Sequence, residues 1–171
     1  MDSNELAILE VLEDLLSGAH VRERIDDIAG GLERQLAQNP GAQMVWEPIP
    51  LELYGAALPA GIRSSWVFIL RAGAVTGAER HPNSHQRVVS WRGAGDLQVR
   101  DEGPWRSHPL VSEPGAPIER RWASIPANVW HQAVVPHENW GVASFHTVEP
   151  QELIEERPQG DGMVRKHYLA N

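Results

Sequence analysis

Glu79, His81, His85 and His131 are among the residues of this 171-residue chain whose types could hold a metal ion or carry a proton, and their spacing narrows what they can do. His81 and His85 stand four apart, which on a helix would set both imidazoles on one face, as in zinc proteases. Pro82-Asn83-Ser84 between them opposes that helix. Proline fixes φ and carries no N–H, while Asn and Ser bond their own backbone in turns. No glutamate follows His81 where a zinc protease keeps its general base. Glu79 and His81 are two apart, so in an extended segment both side chains point the same way. The chain has no cysteine, which removes disulfides, thiolate catalysis and sulfur-ligated metals. It also lacks a nucleophile elbow, a phosphate loop and a dinucleotide fingerprint.

The elements that must position these residues read as strands. Trp66–Leu70 is an apolar run before the turn, and Val88–Trp91 and Leu97–Val99 follow it. From residue 42 to 149, Pro and Gly recur at about the interval expected of short strands in a sandwich or barrel. Met44–Trp46, Leu51–Tyr54, Arg120–Ile125 and Val142–Phe145 read as further strands, and residues 103–117, with four prolines, as a long loop. Residues 1–41 form a helical arm. Asp2 and Glu5 make a capping box, and two apolar stripes follow, Ile8-Leu9-Leu12-Leu15-Leu16 and Val21-Ile25-Ile28-Leu32-Leu36. Gly30-Gly31 should weaken or kink the second, and Asn39-Pro40-Gly41 ends it. The arm either packs on the outside of the barrel or serves as a dimerisation arm. Residues 150–171 read as a short helix over Gln151–Glu156 and a tail.

A hydrophobic content of 42% and a charged content of 22% fit one soluble globular domain. The net charge of −8 argues against nucleic acid or an anionic membrane as partner. The N-terminus has no basic stretch leading into an apolar one, and no segment has membrane-spanning length, so the expectation is a cytoplasmic protein. Seven tryptophans need cover. Trp66, Trp91 and Trp130, set on the outer face, would be covered by the helices or by the second copy of a homodimer. An inward Trp122 or Trp140 would instead suit a flat substrate.

Two stretches together resemble the cupin superfamily, and the closing "SFHTVEPQELIEE" is similar to the end of small bacterial single-domain cupins. The first cupin motif places a glycine before His-x-His, then a glutamate, then a second glycine. Here Gly73 precedes Glu79-Arg80-His81, which fill the His-x-His slots, Gln86 takes the glutamate slot, and Gly93 follows. The second motif keeps Pro-x-Gly-x-x-His and a terminal asparagine. Pro126-Ala127-Asn128-Val129-Trp130-His131 matches its proline and histidine, with Asn128 in the glycine slot and Val135 in the asparagine slot.

The resemblance implies a mostly β fold, a double-stranded β-helix or jelly-roll barrel, here with an N-terminal helical segment. It implies a pocket between two sheets and one divalent metal, iron foremost, with manganese, nickel or zinc also accommodated. Glu79, His81 and His131 are the ligand set that the matched slots and strand alternation assign. Gln86 is a poor ligand with an outer or substrate-orienting role, and His85 is a rival third ligand if its loop folds back. Val88, Ser90 and His146 are further pocket residues. Glu79 has an alternative in pairing with Arg71, Arg80 or Arg87. The family includes dioxygenases, isomerases, decarboxylases and non-catalytic binding or sensing modules, and fold does not choose among them. The expectation is an oxygen-dependent, dioxygenase-like oxidoreductase acting on a small molecule, or a sensing module that has lost metal chemistry. A metal-independent epimerase-like reaction would need a His/Asp pair, for which Asp96 is the one nearby aspartate.

Overall fold

In the computed structural model, which describes residues 2–169, the chain opens with the two helices that its apolar spacing predicts. α1 spans Ser3–Ser17 and α2 spans Ala19–Gln38. Asp2 caps α1 by accepting the Glu5 N–H at 2.8 Å, one half of the expected capping box. The other half is not made. The Glu5 carboxylate leaves the helix to accept from Arg87 at 2.7 Å and from Ser124 at 2.6 Å. The second apolar stripe is buried throughout and the first at Leu9, Leu12 and Leu16, with Ile8 and Leu15 half-buried, and α2 runs unbroken through Gly30-Gly31. Burial of Ile28, Ala29 and Leu32 around the pair outweighs a propensity loss of roughly 1 kcal/mol per glycine.

The strands are β1 (Met44–Pro48), β2 (Ser64–Leu70), β3 (Gln86–Arg92), β4 (Ala94–Arg100), β5 (Pro109–Val111), β6 (Trp122–Ile125), β7 (Trp130–Val134), β8 (Trp140–His146), β9 (Ile154–Gln159) and β10 (Gly162–His167). One antiparallel sheet has the order β1-β2-β8-β3-β6, and a second the order β5-β4-β7. Single bridges prolong the second sheet: Glu79 pairs with His131 of β7, and Arg80 pairs with Glu156 of β9, which forms a hairpin with β10. The result is a jelly roll with helices on the outer face of its larger sheet.

Alternation along the central strands divides their residues between two cores. Phe68, Leu70, Val88, Trp140 and Val142 face the second sheet, while Val67, Ile69, Val89, Trp122 and Phe145 pack under α1 and α2. β8 is buried along its whole length because it lies between both layers. The helices are therefore cover for the barrel. Trp122 donates to Glu13 at 2.7 Å and Trp91 to Asp26 at 2.9 Å, so the chain itself covers these two rings.

Several sequence expectations give way. Leu51–Ala57 forms two short 3-10 turns with a kink at Gly55 rather than a strand, because Pro50 starts a turn and Gly55, at φ 70°, cannot continue an extended run. Arg120 and Arg121 belong to α3 (Ile118–Arg121), and the strand begins at Trp122. The proline-rich 103–117 segment contains β5, and the Gln151–Glu156 helix is absent. Residues 154–167 form the β9–β10 hairpin instead, turning at Gly160, because Arg80 and Glu156 exchange both backbone hydrogen bonds at 3.0 Å. Trp66, expected on the outer face, points inward against His146, with ring centroids 4.9 Å apart. No described helix is long and apolar enough to cross a membrane.

Candidate metal centre

Glu79 and His131 are brought together by backbone pairing. Each donates its N–H to the other's carbonyl, at 2.9 and 2.8 Å, so their side chains leave the same face of the second sheet. His81 follows two residues after Glu79 and joins that face. The turn that Pro82-Asn83-Ser84 predicts closes behind it. Asn128 stands at φ 70°, the left-handed conformation a glycine would take in its slot, and donates its N–H to the His81 carbonyl at 2.9 Å. One ligand atom from each of Glu79, His81 and His131 lies within 4.8 Å of the others, so this cluster could hold a metal ion.

The tautomers favour such an ion. His81 Nδ1 lies 2.9 Å from the Ile154 carbonyl and His131 Nδ1 lies 3.2 Å from the Val129 carbonyl. A carbonyl only accepts, so each Nδ1 carries the proton and each Nε2 presents a lone pair. His131 Nε2 is buried without a hydrogen-bond partner, 3.4 Å from Glu79 Oε1. Two bare imidazole nitrogens and a carboxylate oxygen are acceptors gathered in one place, which a cation satisfies.

Protonation agrees. Burial pushes the Glu79 carboxyl up, but the His131 imidazole beside it, Arg157 and His81 outweigh burial and hold it at about 2. Burial, then the neighbouring His131, lowers His81. Burial, then His81 and His131, pushes His146 well below its ordinary value. An ionised carboxylate beside a His81 imidazole that resists protonation favours metal binding.

The other sequence candidates separate. Gln86, Val88 and His146 face the interior; Gln86 Oε1 is buried without a partner, and His146 stands 5.2 Å from the His81 ring, its Nδ1 3.2 Å from Ser84 Oγ. Ser90 is committed to structure, accepting the Trp140 Nε1–H at 2.8 Å. His85 turns away: its Nε2 meets Ser124 Oγ at 2.7 Å on the α1 side, because Gln86 takes the inward position. Asp96 accepts from the His108 N–H and from Gln98, which leaves no His/Asp base pair at the cavity. Arg71 serves the end of α2, Arg80 pairs with Glu156, and Arg87 pairs with Glu5.

The residues missed in the sequence come from the C-terminal hairpin. Arg157 donates to Glu79 Oε2, so the carboxylate does pair with an arginine, though with none of those expected. Tyr168 sets its ring against Trp46, Trp66, Phe68 and His81, bridging the two sheets beside the centre. Between the sheets lies a cavity of about 60 Å³. Phe68, Leu97, Val142 and Trp140 give it apolar walls, and Glu79, His131, Gln86, Ser144 and Tyr168 give it a polar side. Trp140 reaches so far across that a Cβ on Gly95 would lie 2.2 Å from its ring.

No protein-family model and no curated protein matches the chain. Solved structures do. Pro-11S globulin of pumpkin matches with a TM-score of 0.51 at 17% identity, over 68% of this chain and 28% of that one. A cupin 2 domain-containing protein from Halorhodospira halophila matches with a TM-score of 0.48 at 21% identity, over 69% of this chain and 72% of that one. The chain spans about a quarter of the length of the seed globulins it matches. At these identities the likeness is one of fold.

Proposed function

We propose that this chain, which has the cupin fold, binds one divalent metal ion through Glu79, His81 and His131 and serves oxygen-dependent oxidation or cleavage of a small organic acid or ketone. The observation that carries the reading is the convergence of three acceptor atoms within 4.8 Å, with His131 Nε2 buried and unpartnered. Two imidazoles and a carboxylate make a facial set that suits iron(II) and leaves positions open, and the same donors accept manganese, nickel or zinc. Such an ion, when bound, polarises a substrate oxygen and gives access to dioxygen chemistry. The chain's own residues do the rest. Gln86 and Ser144 each offer a buried polar atom with no protein partner, which a substrate can engage. Phe68, Leu97, Val142 and Trp140 give the carbon skeleton of a small ligand apolar walls that exclude water.

A second reading, a metal-free ligand-binding module, draws support from Arg157, which already gives Glu79 a charge partner. Oxygen uptake by iron-loaded protein, screened against short-chain oxo acids, hydroxy acids and ketones, separates the two. The enzyme reading expects uptake with at least one compound, abolished in Glu79→Ala. Iron bound without uptake across the panel, together with a ligand bound by metal-free protein, favours the module.

A further inference from the structure

Arg157 commits four of its five donors to protein acceptors. Its Nε donates to Glu155 Oε1 at 2.9 Å, its Nη1 to the Thr76 carbonyl at 3.0 Å, and its Nη2 to Glu79 Oε2 and, at 3.4 Å, to Glu155 Oε2. Register explains the arrangement. Arg80 lies opposite Glu156, so Glu155 and Arg157, one residue to either side, share the face of Glu79. With four of its five N–H donors engaged, the guanidinium has no donor pair left for a substrate carboxylate. What it does is take one oxygen of Glu79 and leave the other, Oε1, toward His131.

An imidazole whose Nδ1–H is engaged has one atom left to offer a metal, whereas a carboxylate has two. We propose that Arg157 is a positioning residue that keeps Glu79 a one-atom ligand, so that one coordination position stays free for an exchangeable ligand. This rests on the metal-binding reading above. The rigid fork suits the task, since it fixes a carboxylate in direction as well as charge. β9 then orients two of the three ligands: Arg157 holds Glu79, and the Ile154 carbonyl holds the His81 ring. The C-terminal hairpin is in this sense part of the centre.

The test loads wild-type protein, Arg157→Met, Arg157→Lys and Arg157→Gln with manganese(II) and measures water-proton relaxation per bound ion, beside the manganese affinity. The expected result is that Arg157→Met still binds one ion but loses the relaxation share of one water, because the freed Oε2 takes its place. Arg157→Lys, with the charge but not the fork, recovers part of it. Arg157→Gln carries the test if the Met variant does not fold. Unchanged relaxation per ion in the folded neutral variant overturns the proposal while leaving metal binding intact. Wild-type protein that takes up no manganese overturns the metal reading, and this one with it.

Discussion

His131 Nε2 faces Glu79 Oε1 across 3.4 Å inside the barrel, and it has no hydrogen-bond partner. The Val129 carbonyl takes the proton-bearing side of the ring, so the near side is a lone pair held against a carboxylate. Burying two acceptors face to face is unfavourable unless something positive lies between or beside them. Arg157 meets that need on Oε2, and a divalent ion would meet it on Oε1.

Acid should weaken the metal-free protein in two windows. His146 and His81 both have folded-state values below the ordinary 6.5, so the unfolded chain binds these protons more readily. Stability therefore falls as pH drops below about 6.5, by at most about 1.4 kcal/mol per pH unit for each histidine. Glu79, held at about 2 against an ordinary 4.5, adds a loss between those two values. Urea unfolding across pH should show a shallower slope below pH 6.5 in His146→Phe, which keeps a ring against Trp66. An unchanged slope would contradict the assignment to His146.

Gly95→Ala should destabilise the barrel by about 1–3 kcal/mol, the range for overpacking a filled core. The added methyl would meet the Trp140 ring at 2.2 Å, and that ring is fixed by its bond to Ser90. Denaturant unfolding gives the loss, and a shift in tryptophan emission reports the displaced indole. Gly41→Ala, where a Cβ meets nothing within 4 Å, is the control and should change neither.

Glu5→Ala should cost about 3 kcal/mol, since removing one partner of a buried pair leaves the other charge uncompensated. Arg87, with a side chain 7% exposed, would lose its only carboxylate among the described residues, and Ser124 would lose its acceptor. Gln86 and Val88, which line the cavity beside Glu79 and His131, are on the other face of β3, so the metal content that the proposal expects should not change. Urea unfolding and elemental analysis of the same preparation read both halves of this prediction.

The barrel and the Glu79, His81, His131 cluster were legible because they rest on local chemistry. A turn at Pro82-Asn83-Ser84 excludes the helix, and a two-residue step joins Glu79 to His81. The left-handed slot at Asn128 and the proline before it place His131. The C-terminal hairpin was not legible. Gln-Glu-Leu-Ile-Glu-Glu has helical composition, and the strand state of its second half, from Ile154, is imposed by Arg80 and by β10, partners that the local sequence does not reveal. Arg157, 78 positions from Glu79, was hidden for the same reason. Tyr54 and the 3-10 helix around it misled in the opposite way: Leu-Glu-Leu-Tyr alternates like a strand, yet Pro50 and Gly55 dictate a turn.

The most direct test of the centre is elemental analysis of the purified protein after reconstitution with iron or manganese. One ion per chain is expected, lost in Glu79→Ala, His81→Ala and His131→Ala and kept in His85→Ala, whose imidazole bonds Ser124 instead. A wild-type protein that retains no ion, or a His85→Ala variant that loses it, would contradict the three-ligand centre.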